Sequence, residues 1–274
     1  MARRSSPLTP PDAPEREPQG SLARGLAVLD HLLDASQPQA LRQIAGATGL
    51  DSSTVHRLLK ALEETGHVIR TGNRSYMPSP KAVSPLPLMH PLKQLRREAQ
   101  PVLQALANEI GETVVLVLYM DIERMVVEIA QTQGSLTPYY DTWLHGPLHC
   151  SGAGKALLLK LEPERRHAVL GPDPFRALTP RTLTSRQALE ENLERAGQRG
   201  YATSRDEHHM GLTAISANIH DWHHAALGCL VMTGHSRAFD EARIESVGET
   251  LRRSAELLLF QAPSLRSAAE SLGH

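Results

Sequence analysis

The chain has 274 residues, enough for two domains, and its hydrophobic fraction of 41% is sufficient for a core in each. A net charge of -1 excludes a protein that is basic throughout. Its two cysteines, Cys150 and Cys229, exclude a disulfide scaffold. Arg3-Arg4 is not followed by an apolar segment, and no apolar run is long enough to span a membrane, so we interpret the protein as cytoplasmic, with no membrane partner.

The chain begins with a segment that cannot bury apolar surface. Residues 1–19 contain five prolines and equal numbers of acids and bases, which predicts a disordered tail. Ser21 is then a suitable N-cap for a helix that runs to about Ala35. We predict that the apolar stripe of this first helix consists of Leu22, Leu26, Leu29 and Leu33.

The pattern from residue 41 to residue 66 is typical of a helix-turn-helix. Residues 41–48 form a short helical pattern, and Gly49-Leu50 joins it to a second one that Asp51 can cap and Gly66 can end. The spacing i, i+3, i+4 and i+7 places one apolar stripe on that second helix, made of Val55, Leu58, Leu59 and Leu62.

A hairpin follows the second helix. Residues 67–70 and 74–77 read as two short strands around a turn in which Gly72 or Asn73 carries the positive φ. Helix, helix, turn, helix and hairpin in this order predict a winged helix-turn-helix domain over residues 20–80. The alternative is a small helical domain with a solvated polar face.

Local charge favours double-stranded DNA as the partner of this domain. From residue 41 to residue 81 there are six lysines or arginines against three acids, a local balance of +3. This is a modest charge, so phosphate contacts would have to be supplemented by dimerisation. Tyr76 is the only aromatic residue between residues 1 and 80, which disfavours binding of single strands or RNA by stacking.

A proline-punctuated stretch separates this domain from the rest. We assign residues 81–110 to a linker and linker helix. The helix starts near Leu92 and is closed by Gly111, and its apolar face could pair with a second copy. Residues 111–262 then predict an α+β domain with an antiparallel sheet, and residues 263–274 a C-terminal tail. The predicted strands of the α+β domain are 113–120, 125–130, 213–220 and 226–233. Its predicted helices are 152–161, 184–199 (with a Thr184/Gln187 capping box) and 240–261.

The segment from His149 to Ala156 contains the sequence HCSGAGKA. It is not a nucleotide-binding loop, because His149 and Ala156 occupy the places of the first glycine and of the magnesium-binding hydroxyl. It predicts a strand-to-helix turn whose free amides near Gly152 could hold a carboxylate or phosphate. A tight turn that serves only helix packing is the alternative.

Metal and thiol chemistry are weakly supported. His145, His149 and Cys150 lie close in sequence, but no zinc-ligand spacing accompanies them, and we predict neither a metal nor another cofactor. Neither cysteine has a base and an orienting group beside it in the sequence, so no catalytic residue is predicted.

Together these segments resemble the IclR-type transcriptional regulators. The resemblance covers residues 21–261, and its most specific parts are SLARGLAVLDHL (21–32), LRQIAGATGLDSSTVHRLLKALEETGHVIR (41–70), GPLHCSGAGKALL (146–158), RGYATSRDEHHMGLTAISANI (199–219) and ALGCLVMTG (226–234). It implies an N-terminal winged helix, a dimerising linker helix and a C-terminal GAF/profilin-like α+β domain that binds a small metabolite. It also implies assembly as a homodimer or homotetramer.

The resemblance also implies which residues bind. The DNA-binding positions of the family fall on Ser52, Ser53, Thr54, His56, Arg57, Lys60, Arg70 and Arg74. Its effector pocket falls on Gly152, Ala153, Leu212, Ala214, Val231 and Thr233. The chain departs from the pattern at Ala214, where many members have cysteine, and at Ser204, Arg205 and Asn218.

We therefore expect a sequence-specific DNA-binding transcriptional regulator without catalytic activity. By family analogy it would be a repressor controlled by a small organic acid. Two alternatives belong to other classes: an enzyme that converts a metabolite, or a metal sensor that uses His145, His149 and Cys150, in either case with the winged helix as an interaction module.

Overall fold

The computed structural model describes residues 20–72, 74–83, 86, 89–136, 143–144 and 146–273. The chain divides into an N-terminal unit that ends at Pro87 and a larger unit that begins at Leu88. The predicted tail at residues 1–19 lies outside the described residues. None of the described helices combines the length and apolarity needed to cross a membrane.

The N-terminal unit is a winged helix, as predicted. Its three strands form an antiparallel sheet in the order β1-β3-β2. The elements are α1 (Ser21–Asp34), β1 (Gln39–Ala40), α2 (Leu41–Thr48), α3 (Ser52–Glu64), β2 (Val68–Arg70), β3 (Ser75–Pro78) and α4 (Pro80–Val83).

Helix α3 begins and ends where the sequence predicts. The Asp51 carboxylate accepts a hydrogen bond from the Thr54 amide at 2.9 Å, which satisfies a free donor of the first turn. Gly66 follows the last turn with a φ of 77°. The predicted apolar stripe is confirmed, because Val55, Leu58 and Leu59 are buried in the core of this unit and Leu62 packs against it.

The predicted stripe of α1 is wrong at three of its four positions. Leu22, Leu26 and Leu33 are 77%, 50% and 41% exposed, and the buried side chains are Val28 and Leu32. Only Leu29 of the predicted stripe, which is half-buried, packs against the core. The helix has two apolar stripes, and periodicity alone cannot say which one faces the core. Gly25 also lies on the buried one and faces Leu58 of α3. Gly20, not Ser21, is the N-cap.

The turn between β2 and β3 also differs from the prediction. Gly72 does not have a positive φ, and Asn73 lies outside the described residues. Arg74 takes the left-handed conformation, with a φ of 59°, and its amide donates to the Thr71 carbonyl at 3.1 Å. The turn thus positions one of the predicted DNA-binding residues directly.

The C-terminal unit is an α+β fold around one antiparallel sheet, as predicted. Its five strands lie in the order β5-β4-β8-β7-β6. The strands are β4 (Thr113–Met120), β5 (Glu123–Ala130), β6 (Ala202–Arg205), β7 (Leu212–His220) and β8 (Ala226–His235). The helices are α5 (Pro91–Ile110), α6 (Gly152–Lys160), α7 (Pro163–Leu170), α8 (Arg186–Arg199), α9 (Glu241–Gln261) and α10 (Ser264–Ser271).

Two local predictions in this unit need correction. The proline-rich stretch after α6, for which no helix is predicted, contains α7, because Pro163 occupies the first helical position, where a missing amide costs nothing. Helix α8 is capped by Ser185, whose hydroxyl accepts from the Ala188 amide at 3.2 Å, and not by Thr184. Strand β6 was not predicted.

Helices cover the two faces of the sheet unequally. Helices α5, α9 and α10 pack on one face, where they form the largest hydrophobic core of the described residues. Helix α6 packs on the other face, against β6, β7 and β8. The apolar stripe of α5, including Leu95, Ala99 and Leu103, is therefore buried inside this unit and is not free to pair with a second copy, contrary to our expectation.

Residues 263–274 are not a simple tail, because they contain α10. The Ser264 amide and hydroxyl donate to the two carboxylate oxygens of Glu98 in α5, each at 2.8 Å. Leu265, Ala268 and Ala269 are fully buried against the main core. The segment is too short and too poor in large apolar residues to reveal this packing by its pattern.

Candidate nucleic-acid interface and effector site

Helix α3 presents a polar face opposite its buried stripe. Ser52, Ser53, His56, Arg57 and Lys60 are exposed and Thr54 is half-buried. At about 100° per residue, the five exposed positions fall within an arc of about 140°. The unit thus presents a continuous polar and cationic surface on one helix, as a recognition helix requires.

The side chains on this face differ in whether they already have partners within the protein. The Ser53 hydroxyl donates to Asp51 at 2.6 Å, and this bond and the Thr54 bonds hold the pKa of the Asp51 carboxyl below its usual range. Lys60 makes only a long, exposed ion pair with Glu64. His56 and Arg57 have no hydrogen bond or ion pair within the described part of the chain, so both remain available to DNA.

The wing supplies two further arginines. Arg70 lies with its guanidinium 5.9 Å from the centre of the Tyr76 ring, which orients the side chain without neutralising its charge. Arg74 is exposed at the turn between β2 and β3. Both predicted wing residues therefore carry accessible positive charge.

The predicted effector site is built around the first turn of α6. Ser151 is the N-cap and accepts from the Gly154 amide at 3.2 Å. Gly152 lies against β7: a Cβ added to it would be 2.9 Å from the Cβ of Ala214. The Ser216 hydroxyl donates to the Gly152 carbonyl at 2.8 Å, which fastens the start of the helix to the strand.

Strand pairing brings the other predicted residues to the same place. Ala214 of β7 is paired with Thr233 of β8, and Ala153 and Val231 belong to the same hydrophobic cluster as Ala214. Since side chains two residues apart share a face of a strand, Leu212 and Thr233 also face the α6 side of the sheet. All six predicted positions thus gather at one face, around the amide end of α6.

The sequence did not reveal the buried ion pair below this turn. Lys155 is fully buried, and its ammonium group donates to Glu207 at 2.6 Å and to the Thr203 carbonyl at 3.1 Å. Burial lowers the pKa of Lys155 and raises that of Glu207, while their mutual attraction opposes both changes. The short contact and the additional carbonyl favour the ionised pair.

Arg124 is a second residue that sequence reasoning missed. It is 4% exposed, and its guanidinium donates to the Ser151 hydroxyl at 3.1 Å, to the Leu144 carbonyl at 2.7 Å and to the Gly146 carbonyl. Burial, followed by the neighbouring charges of His209, Arg124 and His149, lowers the pKa of His208 to about 4. The low pKa leaves the His208 ring uncharged near pH 7.

The geometry gives little support to metal or thiol chemistry. No three histidine, cysteine or acidic side chains are grouped to hold a metal ion among the residues that the structure describes, and His145 lies outside them. Burial raises the pKa of both the Cys150 and Cys229 thiols to about 12, so each stays protonated near neutral pH.

A winged helix joined to an α+β unit of this kind is the architecture of a two-domain DNA-binding transcriptional regulator. Residues 21–72 match the model of the IclR helix-turn-helix domain, and residues 91–258 match the model described as bacterial transcriptional regulator IclR C-terminal. The chain belongs to the IclR family of bacterial transcriptional regulators.

Relatives support this assignment over most of the chain. The acetate operon repressor of Salmonella typhimurium is 28% identical over 239 residues, which cover 86% of this chain and 87% of that protein. The Thermotoga maritima IclR crystal structure has a TM-score of 0.71 at 23% identity and covers 93% of this chain and 99% of its own. An IclR homologue from Microbacterium hydrocarbonoxydans, crystallised with 4-hydroxybenzoate, has a TM-score of 0.69 at 22% identity. The match covers 90% of this chain and 100% of that chain.

Replacing Lys155 by methionine tests the buried pair. We expect K155M to lower the free energy of unfolding of the C-terminal unit by about 3–5 kcal/mol, because Glu207 is left buried without its cation. Glu207 then has a raised folded-state pKa, so the loss of stability grows as the pH rises from 5 to 8, which urea unfolding at several pH values would measure.

The matched control is the double variant K155M/E207Q, which removes both charges. We expect it to recover a large part of the lost stability and to show no such pH dependence. Equal destabilisation of the single and double variants would contradict an ionised pair.

Proposed function

We propose that this regulator represses transcription by binding double-stranded operator DNA through α3, and that a small organic acid bound at the α6 turn changes its affinity for the operator. The observation that carries the proposal is the exposed cationic face of α3, within a segment (residues 41–81) that has a local charge of +3. The name of the Salmonella relative supports repression as the mode of action. Such a protein acts in the cytoplasm, where bacterial DNA lies.

We assign recognition of the DNA base sequence to residues in the middle of α3. We place Arg57 and His56 on base edges in the major groove, since arginine matches the two acceptors of guanine. Lys60, Thr54 and Arg74 would hold phosphates, with Ser52 and Arg70 at the margins. Ser53 contributes least as a donor, because its hydroxyl proton is committed to Asp51.

The variant R57A tests this assignment. If Arg57 reads a guanine, its loss weakens operator binding by about 1–3 kcal/mol and relaxes the preference at one base pair. Footprinting and fluorescence anisotropy on the DNA upstream of the protein's own gene, at physiological salt, would measure both. R181A, which removes the same charge from an exposed position in the C-terminal unit, is the control and should bind like wild type.

A uniform loss of affinity across all DNA sequences would make Arg57 a phosphate contact instead. Wild-type protein that binds all DNA equally and only at low salt would contradict the proposal of a sequence-specific regulator.

The first helix offers a surface for dimerisation. Leu22, Leu26 and Leu33 of α1 are exposed, and their spacing places them on one side of the helix. Leu29, at the edge of this surface, is half-buried and packs against the core. A second copy is the natural occupant, since two recognition helices on adjacent half-sites supply the affinity that a charge of +3 cannot. We propose a homodimer through α1, or a homotetramer made of two such dimers.

The variant L26E should separate this dimer, because it places a charge in the centre of the apolar face. Analytical ultracentrifugation should show a shift toward monomer, accompanied by weaker operator binding. L257E, at a similarly exposed leucine of α9, is the matched control and should release no monomer. An unchanged mass for L26E would contradict the proposed interface.

The effector site is proposed for the small side chains at the start of α6. The small side chains of Gly152, Ala153 and Ala214 let the start of α6 approach β7 closely, and the first amides of α6 have no carbonyl partner within the helix. These amides suit a carboxylate. The 4-hydroxybenzoate complex of the Microbacterium homologue, which shares the fold, is consistent with this ligand class.

Calorimetric titration with a panel of small carboxylic acids, including 4-hydroxybenzoate, tests this site. We expect at least one acid to bind and to shift operator affinity, while its uncharged amide analogue binds at least tenfold more weakly, a difference of about 1.4 kcal/mol. A214L, which fills the site, should abolish both effects. No binding of any acid would contradict effector control.

No catalysis is proposed for the C-terminal unit. The family consists of transcriptional regulators, and both thiols are held protonated by burial. An enzyme would need an acid-base pair poised beside the ligand, whereas the buried Lys155 and Glu207 neutralise each other.

A further inference from the structure

We infer that Ser79 and Lys81 are positioning residues for operator binding. Together they clamp the end of the recognition helix α3 to the base of the wing, which consists of β2, β3 and the turn between them. The clamp lets α3 and the wing engage one stretch of DNA as a single body. This inference rests on the proposed DNA binding, and neither residue is among the predicted DNA-binding positions.

Three successive carbonyl groups at the end of α3 accept hydrogen bonds from the segment that follows β3. The Thr65 carbonyl accepts from the Lys81 ammonium group at 2.9 Å. The Gly66 carbonyl accepts from the Ser79 hydroxyl at 2.6 Å, and the His67 carbonyl accepts from the Ser79 amide at 2.9 Å. Carbonyl groups at the end of a helix lack partners within it, so these contacts determine where α3 is held.

Ser79 is the buried half of the clamp. It is 5% exposed, and its hydroxyl oxygen also accepts from the Lys81 amide at 3.1 Å, at the start of α4. One hydroxyl group therefore holds the end of α3 and the start of α4 together. An alanine at this position would release both contacts and leave the Gly66 carbonyl without its donor.

Lys81 is the exposed half of the clamp. Its side chain lies across the end of α3, where its Cδ would be 3.9 Å from a Cβ added to Gly66. Its ammonium group lies at the C-terminal end of the helix, where the helix dipole favours a positive charge. Because this contact is exposed, we expect it to contribute less than the buried hydroxyl of Ser79.

The clamp fixes the wing relative to α3. The bond between His67 and Ser79 extends the pairing of β2 with β3 by one step toward α3. Arg74 lies at the opposite end of this hairpin, whereas Arg57 and Lys60 lie on α3. Two charged surfaces that are already held in place lose less freedom on binding than two that move independently, so the clamp strengthens their joint contact with DNA.

A double-mutant cycle between Ser79 and Arg74 tests the inference on the full chain. Fluorescence anisotropy would give the affinity of wild type, S79A, R74Q and the double variant for the duplex located by footprinting. We expect R74Q to weaken operator binding in the wild-type background. In the S79A background its further effect should be smaller by about threefold or more, because the wing is no longer held against α3.

The cycle separates positioning from loss of folded protein. Partial unfolding of S79A would lower the affinity with and without the Arg74 charge by the same factor, and would therefore produce no coupling. S36A, at an exposed serine of the same unit, is the matched control, and its effect should add to that of R74Q.

Lys81 gives a second cycle at an exposed position, where a substitution does not disturb the core. K81M removes the contact with the Thr65 carbonyl and should show a smaller coupling to R74Q in the same direction. K81R keeps a donor and should behave like wild type. A Lys81 that only contacted phosphate would instead give additive effects.

Three results would overturn the inference. Additive effects of S79A and R74Q, with wild type bound to its operator, would overturn it alone. So would an R74Q variant that binds like wild type, since the wing would then contribute nothing to be positioned. Failure of the wild type to bind any duplex specifically would overturn the proposed function and this inference with it.

Discussion

The C-terminal unit depends on one buried ion pair. Lys155 lies in the second turn of α6 and Glu207 follows β6, 52 residues later, and their 2.6 Å contact fixes where the helix lies along the sheet. With this position fixed, Gly152 meets Ala214, and Ser151 lies within reach of Arg124. Apolar side chains of similar volume would fill the same space, but a charged pair with a single satisfying geometry also specifies the register.

The two faces of the sheet then take different roles. Helices α5, α9 and α10 seal one face with a large apolar core, in which α10 is fastened by Glu98. The opposite face carries α6, whose first turn presents helix amides and small side chains against β7. Ser151, which caps α6 at the proposed effector site, accepts from both the Gly154 amide and the Arg124 guanidinium.

In the N-terminal unit, the buried and exposed faces of each helix serve different purposes. Helix α3 buries Val55 and Leu59 and exposes His56 and Arg57, which leaves the polar face for DNA. Helix α1 has two apolar faces, of which one packs through Val28 and Leu32 and the other exposes Leu26. An exposed row of leucines is costly in water unless it is covered, which is the physical reason to expect a second copy there.

Sequence by itself determined the features that depend on neighbouring residues. The Asp51 cap, the left-handed Gly66 and Gly111, the α3 stripe and the alternation of strands and helices all follow from hydrogen bonds and periodicity within a few residues. Tertiary structure alone decided which stripe of α1 is buried, that α10 packs on α5, and that Lys155 meets Glu207. These outcomes depend on contacts between segments that are far apart in the sequence. The pattern within a short segment does not specify which distant apolar or charged partner it will meet.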